Sequence, residues 1–500
     1  MDELMTNQYA KPAFLSDATL ASLPKEIARP RYDRSRLTPG IVHIGLGNFH
    51  RAHQAWYLHR LMQEGKALDW AVIGASVRKE DAPLRDKLAK QDYLTTLIEL
   101  DPSGKSVEVV GSMIGYLPIE DGHAPLIAQM SEPAIRIVSL TITEGGYFLD
   151  PATKRFDLTH PDIVHDAANL HAPRTAFGAI VAALQARRTR GHSPFTCQSC
   201  DNLPGNGAIL REVVTGLARL ADPDLAKWID AEVSFPNSMV DCIVPASGPR
   251  ERELARSLGI ADDAPVTHEN FRQWVLEDEF CAGRPEWEDA GATMSFDVRA
   301  FEAQKLRLLN AGHQIIAAPA ELLGLQTIAE AMAHSLIRQY FRKVALTEIV
   351  PHVAEVPGMA PVDYLDLIEH RFSNREIRDT VRRVAFDGSS RQTGAVLPTI
   401  RDAVNDGAPI EGLALSQALW MRMCRGTRED GSVIEPNDPV WIDLVRAASS
   451  AESQPSAWLQ QRSFYGDLCD SGPFTDAFTA AASHIDRYGV EGAINAYLNA

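Results

Sequence analysis

The sequence predicts an α/β fold, with an open parallel sheet in the N-terminal domain and a mostly α-helical C-terminal domain. Short apolar runs alternate with helix-like stretches over roughly the first 290 residues. Apolar strands separated by longer connections are typical of a parallel sheet covered by helices. Beyond about residue 300 these runs give way to apolar residues repeating every three to four positions, which indicates amphipathic helices.

The elements can be placed in chain order. The predicted strands are residues 40–47, 69–76, 106–117, 135–143 and 195–201. Helical periodicity is clearest in residues 320–346 and 364–386. The change of pattern places the domain boundary within residues 286–304, and we divide the chain into domains 1–295 and 296–500.

Composition excludes several classes of protein. A formal net charge of −17 argues against nucleic-acid binding, which needs a basic surface. The first residues do not form a signal peptide and no run is long and apolar enough to span a membrane, so we expect a cytoplasmic protein. Cys197 and Cys200 form a C-x-x-C within a predicted strand, and without a second pair we expect no metal site.

A glycine turn follows the first predicted strand, in IVHIGLGNFHRAH. Gly45 permits a sharp turn, and Gly47 removes a side chain where a pyrophosphate would approach the next helix. His50 occupies the position where the usual Rossmann motif has a third glycine. The pattern favours a Rossmann-like dinucleotide-binding domain, although a plain tight turn would look the same.

The residues after the second predicted strand carry both charges. Glu80 or Asp81 could accept a hydrogen bond from the ribose 2′-hydroxyl of NAD. Arg78 or Lys79 could instead hold the 2′-phosphate of NADP, and a solvated loop without a specific role would have the same composition.

Residues 304–317 predict a helix that carries polar groups on an apolar face. At about 100° per residue, Lys305, Asn310 and His313 lie at about 0°, 140° and 80°. A desolvated lysine can take a proton from an alcohol, and an asparagine can donate to a developing alkoxide. The alternative is an ordinary amphipathic helix with a surface lysine.

A further amide follows the last predicted strand, in the loop QSCDNLPGNG. Asn202 lies where the carboxyl ends of parallel strands present ligand-binding residues. Asn202 and Asn206 could also be turn-forming residues in a loop rich in proline and glycine. A base, two amides and a dinucleotide turn suffice for transfer of a hydride from an alcohol to nicotinamide.

The chain resembles the polyol-specific long-chain dehydrogenases from about residue 25 almost to its C-terminus. The resemblance is carried, in order, by GIVHIGLGNFHRAHQAWY, IRIVSLTITEGGYF, SCDNLPGNG, SFPNSMVDCIVP, QWVLEDEFCAGRPEWE, KLRLLNAGH and RFSNREIRDTVRRVAFDGSSR. It implies a metal-independent, monomeric enzyme that uses NAD to oxidise a small polyol at C2 to a ketose, with D-mannitol and D-fructose as the first expectation.

The resemblance also implies catalytic roles. Lys305 would be the general base, Asn310 and Asn202 the oxyanion donors, and His313 a group that orients the substrate. Glu144 would exchange protons between the lysine and water.

The implied binding residues fall into two groups. Those for substrate are Asp241, Arg383 and Arg391. Those for the cofactor are Gly45, Gly47, Asn48, Phe49, His50, Arg51, Glu80 and Asp81. Compared with the family pattern, the chain has NAGH at 310–313 and SSRQTGAV at 389–396, and the second difference bears on Arg391 and on substrate choice.

Other substrates and classes remain open at this point. Fructuronate, tagaturonate or D-arabinitol would use the same fold and chemistry, and Arg383 or Arg391 could hold a carboxylate. A non-catalytic nucleotide-binding regulator would need the cofactor turn but not a base with two amides. A zinc alcohol dehydrogenase is disfavoured because no Cys/His cluster has ligand spacing.

Overall fold

The computed structural model describes residues 12–150, 153 and 155–500. Contacts between Cα atoms divide the chain into two units, which we call unit 1, ending at Arg299, and unit 2, Ala300–Ala500. Each unit has hydrophobic cores of its own. The domain boundary placed between residues 295 and 296 stays a prediction.

All strands of the described residues lie in unit 1. They are β1 Ala13–Phe14, β2 Pro39–Ile44, β3 Ala71–Ala75, β4 Thr95–Asp101, β5 Gly104–Val110, β6 Met113–Tyr116, β7 Ile137–Leu140, β8 Thr196–Ser199, β9 Ser238–Asp241, β10 Ile260–Ala261, β11 Val266–Glu269, β12 Gln273–Leu276 and β13 Thr293–Met294.

The central sheet of unit 1 has the strand order β6-β3-β2-β7-β8, and every neighbouring pair is parallel. Numbered along this sheet the order is 3-2-1-4-5, which is the Rossmann order. The order reverses between β2 and β7, so the crevice that binds ligands in such folds lies beyond their carboxyl ends. The predicted open parallel sheet is therefore confirmed.

The structure differs from the sequence prediction at the run 106–117. That run contains β5, which pairs antiparallel with β4 in a second sheet, and β6, which lies at the edge of the central sheet. Apolar periodicity could not separate them, because both strands have buried residues and only Gly111 and Ser112 lie between them.

Helices of unit 1 flank the central sheet. They are α1 Asn48–Ala52, α2 Gln54–Gln63, α3 Ala82–Lys90, α4 Ala124–Ser131, α5 Pro161–Ala168, α6 Ala176–Arg190, α7 Asn206–Ala221, α8 Pro223–Glu232 and α9 Pro249–Ser257. The helix expected after the glycine turn is broken at His53, whose φ of −120° and ψ of −91° are not helical.

Unit 2 is helical throughout its described residues, apart from isolated bridges and connections. After α10 Val298–Gln304, its helices are α11 Ala311–Leu322, α12 Ile328–Ala333, α13 Ser335–Val344, α14 Pro361–Phe372, α15 Val381–Ala385, α16 Gly388–Arg391, α17 Leu397–Asp406, α18 Glu411–Met423, α19 Trp441–Ser450, α20 Arg462–Tyr465 and α21 Gly472–Asn499. Every residue of α11 is buried, so this helix forms the centre of the unit 2 core. The predicted helical C-terminal domain is confirmed.

Candidate active site

The glycine turn, residues 45–47, follows β2 at the point where the sheet order reverses. Gly45 has φ +91°, and a Cβ on it would lie 2.2 Å from the carbonyl oxygen of Thr141, so only glycine fits. A Cβ on Gly47 would meet nothing nearer than 3.9 Å. The protein itself therefore does not require Gly47, and the space beside it is open to a ligand.

A chain of hydrogen bonds through Thr141, His43 and Ser139 holds the glycine turn in place. The Thr141 hydroxyl donates to the Gly45 carbonyl oxygen at 2.8 Å, and His43 Nε2 lies 2.9 Å from the same hydroxyl. His43 Nδ1 lies 2.8 Å from the Ser139 hydroxyl. Burial lowers the pKa of His43 to about 3, so the ring is neutral, donating from Nε2 and accepting at Nδ1.

Arg51 lies beneath the turn rather than at its surface. Its guanidinium donates to Asn48 Oδ1 at 2.7 Å, to the Ala264 carbonyl at 2.5 Å and to the Gly47 carbonyl at 3.3 Å. Asn48 in turn donates to the Ser247 hydroxyl at 2.9 Å. Arg51 is 1% exposed, so its contacts place it as a support for the loop.

The two rings of the motif are also packed against protein. His50 is buried and stacks on His43 with ring centroids 3.6 Å apart, while Phe49 stacks on His53 at 4.9 Å. His50 Nδ1 makes no hydrogen bond with any described residue. These contacts explain why a histidine replaces the third glycine, since its ring fills space against β2.

The charged residues after β3 are already partly paired. Asp81 accepts hydrogen bonds from Ser76 and from Arg78, whose Nη2 is 3.0 Å from Asp81 Oδ1. Lys79 forms an ion pair with Asp121 at 2.8 Å. Glu80 is exposed in the middle of the short 3₁₀ turn Lys79–Asp81. The basic residues that could have held a 2′-phosphate are thus engaged with carboxylates.

A buried carboxylate, Asp201, organises the loops that follow β7 and β8. It accepts hydrogen bonds from the backbone N–H groups of Ile142 at 3.1 Å and Thr143 at 2.8 Å, and from the Tyr147 hydroxyl at 2.8 Å. Burial raises the pKa of Asp201 to about 6. Thr143 has φ +66°, a strained value for a β-branched residue, and these bonds hold it there.

The two predicted site residues in these loops, Glu144 and Asn202, are exposed and lie close to Asp201 in the structure of the loops. Glu144 is exposed in the 3₁₀ turn Glu144–Tyr147, and Asn202 is exposed directly after Asp201. Asp241 is buried at the end of β9. Asn206, in contrast, is fully buried and donates to the carbonyls of Asp201 and Ser238, so it ties the loop to β9.

The predicted site residues Lys305, Asn310 and His313 lie on one continuous helix of unit 2. Residues 305–313 carry the side chains predicted to be catalytic, and we call them the catalytic segment. They begin with a π-helical stretch, Lys305–Asn310, between α10 and α11. The sequence predicted α-helix here, in which residues five apart differ by about 140°. Hydrogen bonds from i to i+5 bring Lys305 and Asn310 closer to one side of the helix. Both side chains are half-buried.

His313 lies in the buried helix α11, one residue beyond Gly312. Its ring stacks on Phe372 with centroids 4.2 Å apart, and its Nε2 makes no hydrogen bond with any described residue. Burial lowers the pKa of His313 to about 3; Asp379 opposes this effect, and Arg383, Arg371 and Arg391 reinforce it. The ring is therefore neutral at physiological pH.

Asp379 joins this group and was missed by sequence reasoning. Its carboxylate accepts two hydrogen bonds from Arg383, from Nε and Nη2, both 2.6 Å long. Its Oδ2 is 3.7 Å from His313 Nε2. The residue lies in the connection before α15, within RFSNREIRDTVRRVAFDGSSR, but that motif suggested roles only for Arg383 and Arg391, so the spacing of four residues to Arg383 was the one signal for Asp379.

The carbonyl oxygen of Val384 connects Arg391 to the same region. It accepts a hydrogen bond from Arg391 Nη1 at 2.9 Å and another from Gln314 Nε2 at 3.1 Å. Gln314 follows His313 on α11. The structure therefore brings Lys305, Asn310, His313, Arg383 and Arg391 into one part of unit 2 through α11 and its partners.

Neither a metal centre nor a membrane-crossing helix is found among the described residues. No group of three or more His, Cys, Asp or Glu side chains is arranged to hold a metal ion. Within the same residues, no helix has both the length and the apolar character that crossing a bilayer would need.

Three features indicate the class of protein. These features are the sheet order, the glycine turn where that order reverses, and the lysine, asparagine and histidine on one helix of unit 2. They are the parts of a dehydrogenase with an N-terminal Rossmann domain. The chain matches the mannitol dehydrogenase Rossmann domain over residues 39–289 and the mannitol dehydrogenase C-terminal domain over residues 297–486. It belongs to the mannitol dehydrogenase family.

Relatives match over nearly the whole chain. A mannitol 2-dehydrogenase of Cereibacter sphaeroides is 53% identical over 478 residues, covering 96% of this chain and 100% of the relative. A mannitol 2-dehydrogenase of Aspergillus fumigatus is 39% identical, with 94% and 95% covered.

Two solved structures also match this chain over nearly its whole length. Pseudomonas fluorescens mannitol 2-dehydrogenase, in a ternary complex with NAD and D-mannitol, has a TM-score of 0.88 at 39% identity and covers 97% of this chain and 100% of its own. A D-sorbitol dehydrogenase in substrate-free form has a TM-score of 0.89 at 34% identity, with 96% and 100% covered.

Proposed function

We propose that this chain oxidises D-mannitol at C2 to D-fructose, with NAD⁺ reduced to NADH. It is an oxidoreductase acting on a CH–OH group, and NAD is its cofactor, as in the mannitol 2-dehydrogenase complex it resembles. The observation that carries the proposal is the catalytic segment, where a π turn gathers Lys305 and Asn310 ahead of a neutral His313. A family member that had lost catalysis would have no need of this arrangement.

The residues present fit a bound dinucleotide. The space beside Gly47 would hold a pyrophosphate. A Cβ on Gly47 would enter this space and lie no nearer than 3.9 Å to protein atoms, so the space is open to a ligand. Glu80, exposed beyond β3, would accept a hydrogen bond from the ribose. Arg78 is held by Asp81, which favours NAD over NADP. His50 and Arg51 would support the turn without touching the cofactor.

The chemistry divides among side chains of this chain. Lys305 would take the proton of the C2 hydroxyl as general base. The amides of Asn310 and Asn202 would donate hydrogen bonds to the oxygen as it becomes a carbonyl. NAD, when bound, accepts the hydride that leaves C2. Glu144, exposed on its turn, would pass the proton from the lysine to water.

Substrate hydroxyls would be read by the remaining groups. His313 would offer its buried, unpartnered Nε2, and Arg383 and Arg391 would donate from their guanidinium groups. Asp241, buried at the end of β9, would accept from a hydroxyl. A polyol rich in hydroxyls matches a site made of both donors and acceptors.

The test is a parallel comparison of substrates in the direction of ketose reduction. NADH and NADPH oxidation are followed with fructose, fructuronate, tagaturonate and xylulose. Fructose with NADH should have the highest kcat/KM. A strong preference for a uronate would replace the substrate assignment, and a preference for xylulose would favour D-arabinitol as the polyol.

A regulator that only binds the nucleotide is the alternative from another class. It would bind NADH in a fluorescence titration yet oxidise it with none of these ketoses. A monomeric state, the absence of a metal requirement and a cytoplasmic location also stay predictions, which size-exclusion chromatography, assay with a chelator and cell fractionation address.

A further inference from the structure

Asp379 has no role in the family resemblance, although it lies within RFSNREIRDTVRRVAFDGSSR. Its side chain is 7% exposed, whereas the Arg383 side chain that it binds is 56% exposed. The pair therefore has a buried acidic end and an accessible basic end. The acidic end also lies 3.7 Å from the unpartnered nitrogen of His313.

The charges around His313 come from several elements. Arg371 is on α14, Arg383 on α15 and Arg391 on α16, and all three act on His313. Arg371 is 4% exposed. Asp379 is the group whose charge acts on His313 most strongly. The balance of charge that a substrate meets at Arg383 therefore depends on this carboxylate.

The geometry of the pair decides what Arg383 can bind. A guanidinium holds a carboxylate best through two parallel hydrogen bonds. Asp379 already takes Nε and Nη2 in that manner, at 2.6 Å each. A sugar acid could then use only the Nη1/Nη2 edge of a guanidinium whose charge Asp379 already compensates, while a neutral hydroxyl needs only one N–H and gains nothing from a net charge.

We propose that Asp379 is a specificity-determining residue, which makes the site select a neutral polyol or ketose over the corresponding sugar acid. It does so by compensating the charge of Arg383 and occupying its Nε/Nη2 edge. The inference rests on the proposed function, since it concerns which ketose the same site reduces.

The test is the Asp379→Asn variant, which keeps the shape of the side chain and one acceptor but removes the charge. Arg383 then has an uncompensated charge and a free donor. The ratio of kcat/KM for D-fructuronate to that for D-fructose should rise roughly tenfold or more. This ratio does not depend on the fraction of folded enzyme. If fructuronate turnover is undetectable, its inhibition constant against fructose is measured instead.

Two variants test the cause. In the double variant Asp379→Asn with Arg383→Gln, the gain for fructuronate should disappear. Asp278→Asn is the matched control, because Asp278 binds Arg284 through the same Nε and Nη2 atoms, at 2.6 and 2.9 Å, in unit 1. It should leave the substrate ratio unchanged.

Arg383→Gln alone gives an independent measurement of opposite sign. It leaves the Asp379 carboxylate without its partner, so the fructuronate to fructose ratio should fall below that of the wild type. This outcome can be read even if Asp379→Asn does not fold.

The outcomes separate the two proposals. Wild-type enzyme that reduces none of the ketoses refutes the proposed function. Active wild-type enzyme together with an unchanged ratio in Asp379→Asn refutes the role of Asp379, as does a gain that persists without Arg383 or a ratio that rises in Arg383→Gln.

Discussion

The glycine turn of unit 1 and the catalytic segment of unit 2 use polar groups in opposite ways. Around the turn, Arg51, Asn48, His43 and Thr141 are bonded to one another or to backbone carbonyls, and His50 Nδ1, in a ring stacked on His43, is an exception. In the catalytic segment, the buried Nε2 of His313 has no hydrogen-bond partner among the described residues. A surface that binds a cofactor through its backbone needs a rigid support, whereas a site that reads a substrate must keep polar atoms unsatisfied until the substrate arrives.

The largest expected effect concerns the catalytic segment. Lys305→Ala should lower turnover by roughly 10²- to 10⁴-fold at neutral pH, because the general base is lost. NADH binding, measured by fluorescence titration, should be nearly unchanged, since the cofactor turn lies in unit 1. Lys343→Ala is the control, because Lys343 contacts the C-terminal helix instead, donating to the Tyr497 carbonyl at 2.8 Å and lying 4.6 Å from the centroid of the Tyr497 ring. Near-normal turnover in Lys305→Ala would remove this lysine from the base role.

The second prediction concerns Asp201, the buried carboxylate that holds the loops after β7 and β8 in unit 1. Because burial raises the pKa of Asp201 to about 6 from a usual value near 3.8, the folded protein favours the protonated form. The stability from this shift is fully present below about pH 4 and is lost as the pH rises through 6. Relative to Asp201→Asn, the wild type should lose ~3 kcal/mol of unfolding free energy between pH 4 and pH 8. Urea unfolding across this range measures the difference, and parallel pH profiles of the two proteins would contradict it.

The smallest effect separates the two glycines of the turn. Gly45→Ala should destabilise unit 1 by about 2 kcal/mol, because its Cβ would collide with Thr141 at a positive φ. Gly47→Ala should change the free energy of unfolding by no more than about 0.5 kcal/mol, because its Cβ meets no protein atom nearer than 3.9 Å. It should weaken NADH binding roughly tenfold, because the Cβ enters the space that the pyrophosphate would occupy. Denaturation and NADH titration check both. Equal losses of stability would mean that Gly47, too, serves the fold.

The sequence was most informative where residues repeat with a regular period or form a known motif. The parallel sheet and the helical C-terminal domain follow from apolar periodicity, because burial on one or two faces imposes that period. The glycine turn was recognisable because Gly45 is required by backbone geometry, which one residue type satisfies.

Features that depend on distant contacts were not predictable. The π turn at Lys305–Asn310 has ordinary helix-forming residues, and a shift of hydrogen bonds from i+4 to i+5 leaves no mark in composition. The burial of Arg51 depends on the carbonyl of Ala264, more than 200 residues away. The pairing of Asp379 with His313 depends on α11 meeting the segment before α15.

The π turn has a consequence for how this helix can change in length. A π turn is what an α-helix becomes when it accommodates one additional residue without shifting its ends. Deleting one residue within 306–309 would therefore allow an uninterrupted α-helix in which Lys305 and Asn310 are four residues apart, about 40° around the axis. Such a protein would keep its core and leave its lysine and histidine in their present relation, so this helix should tolerate the loss of one residue within the π turn far better than the loss of one within α11.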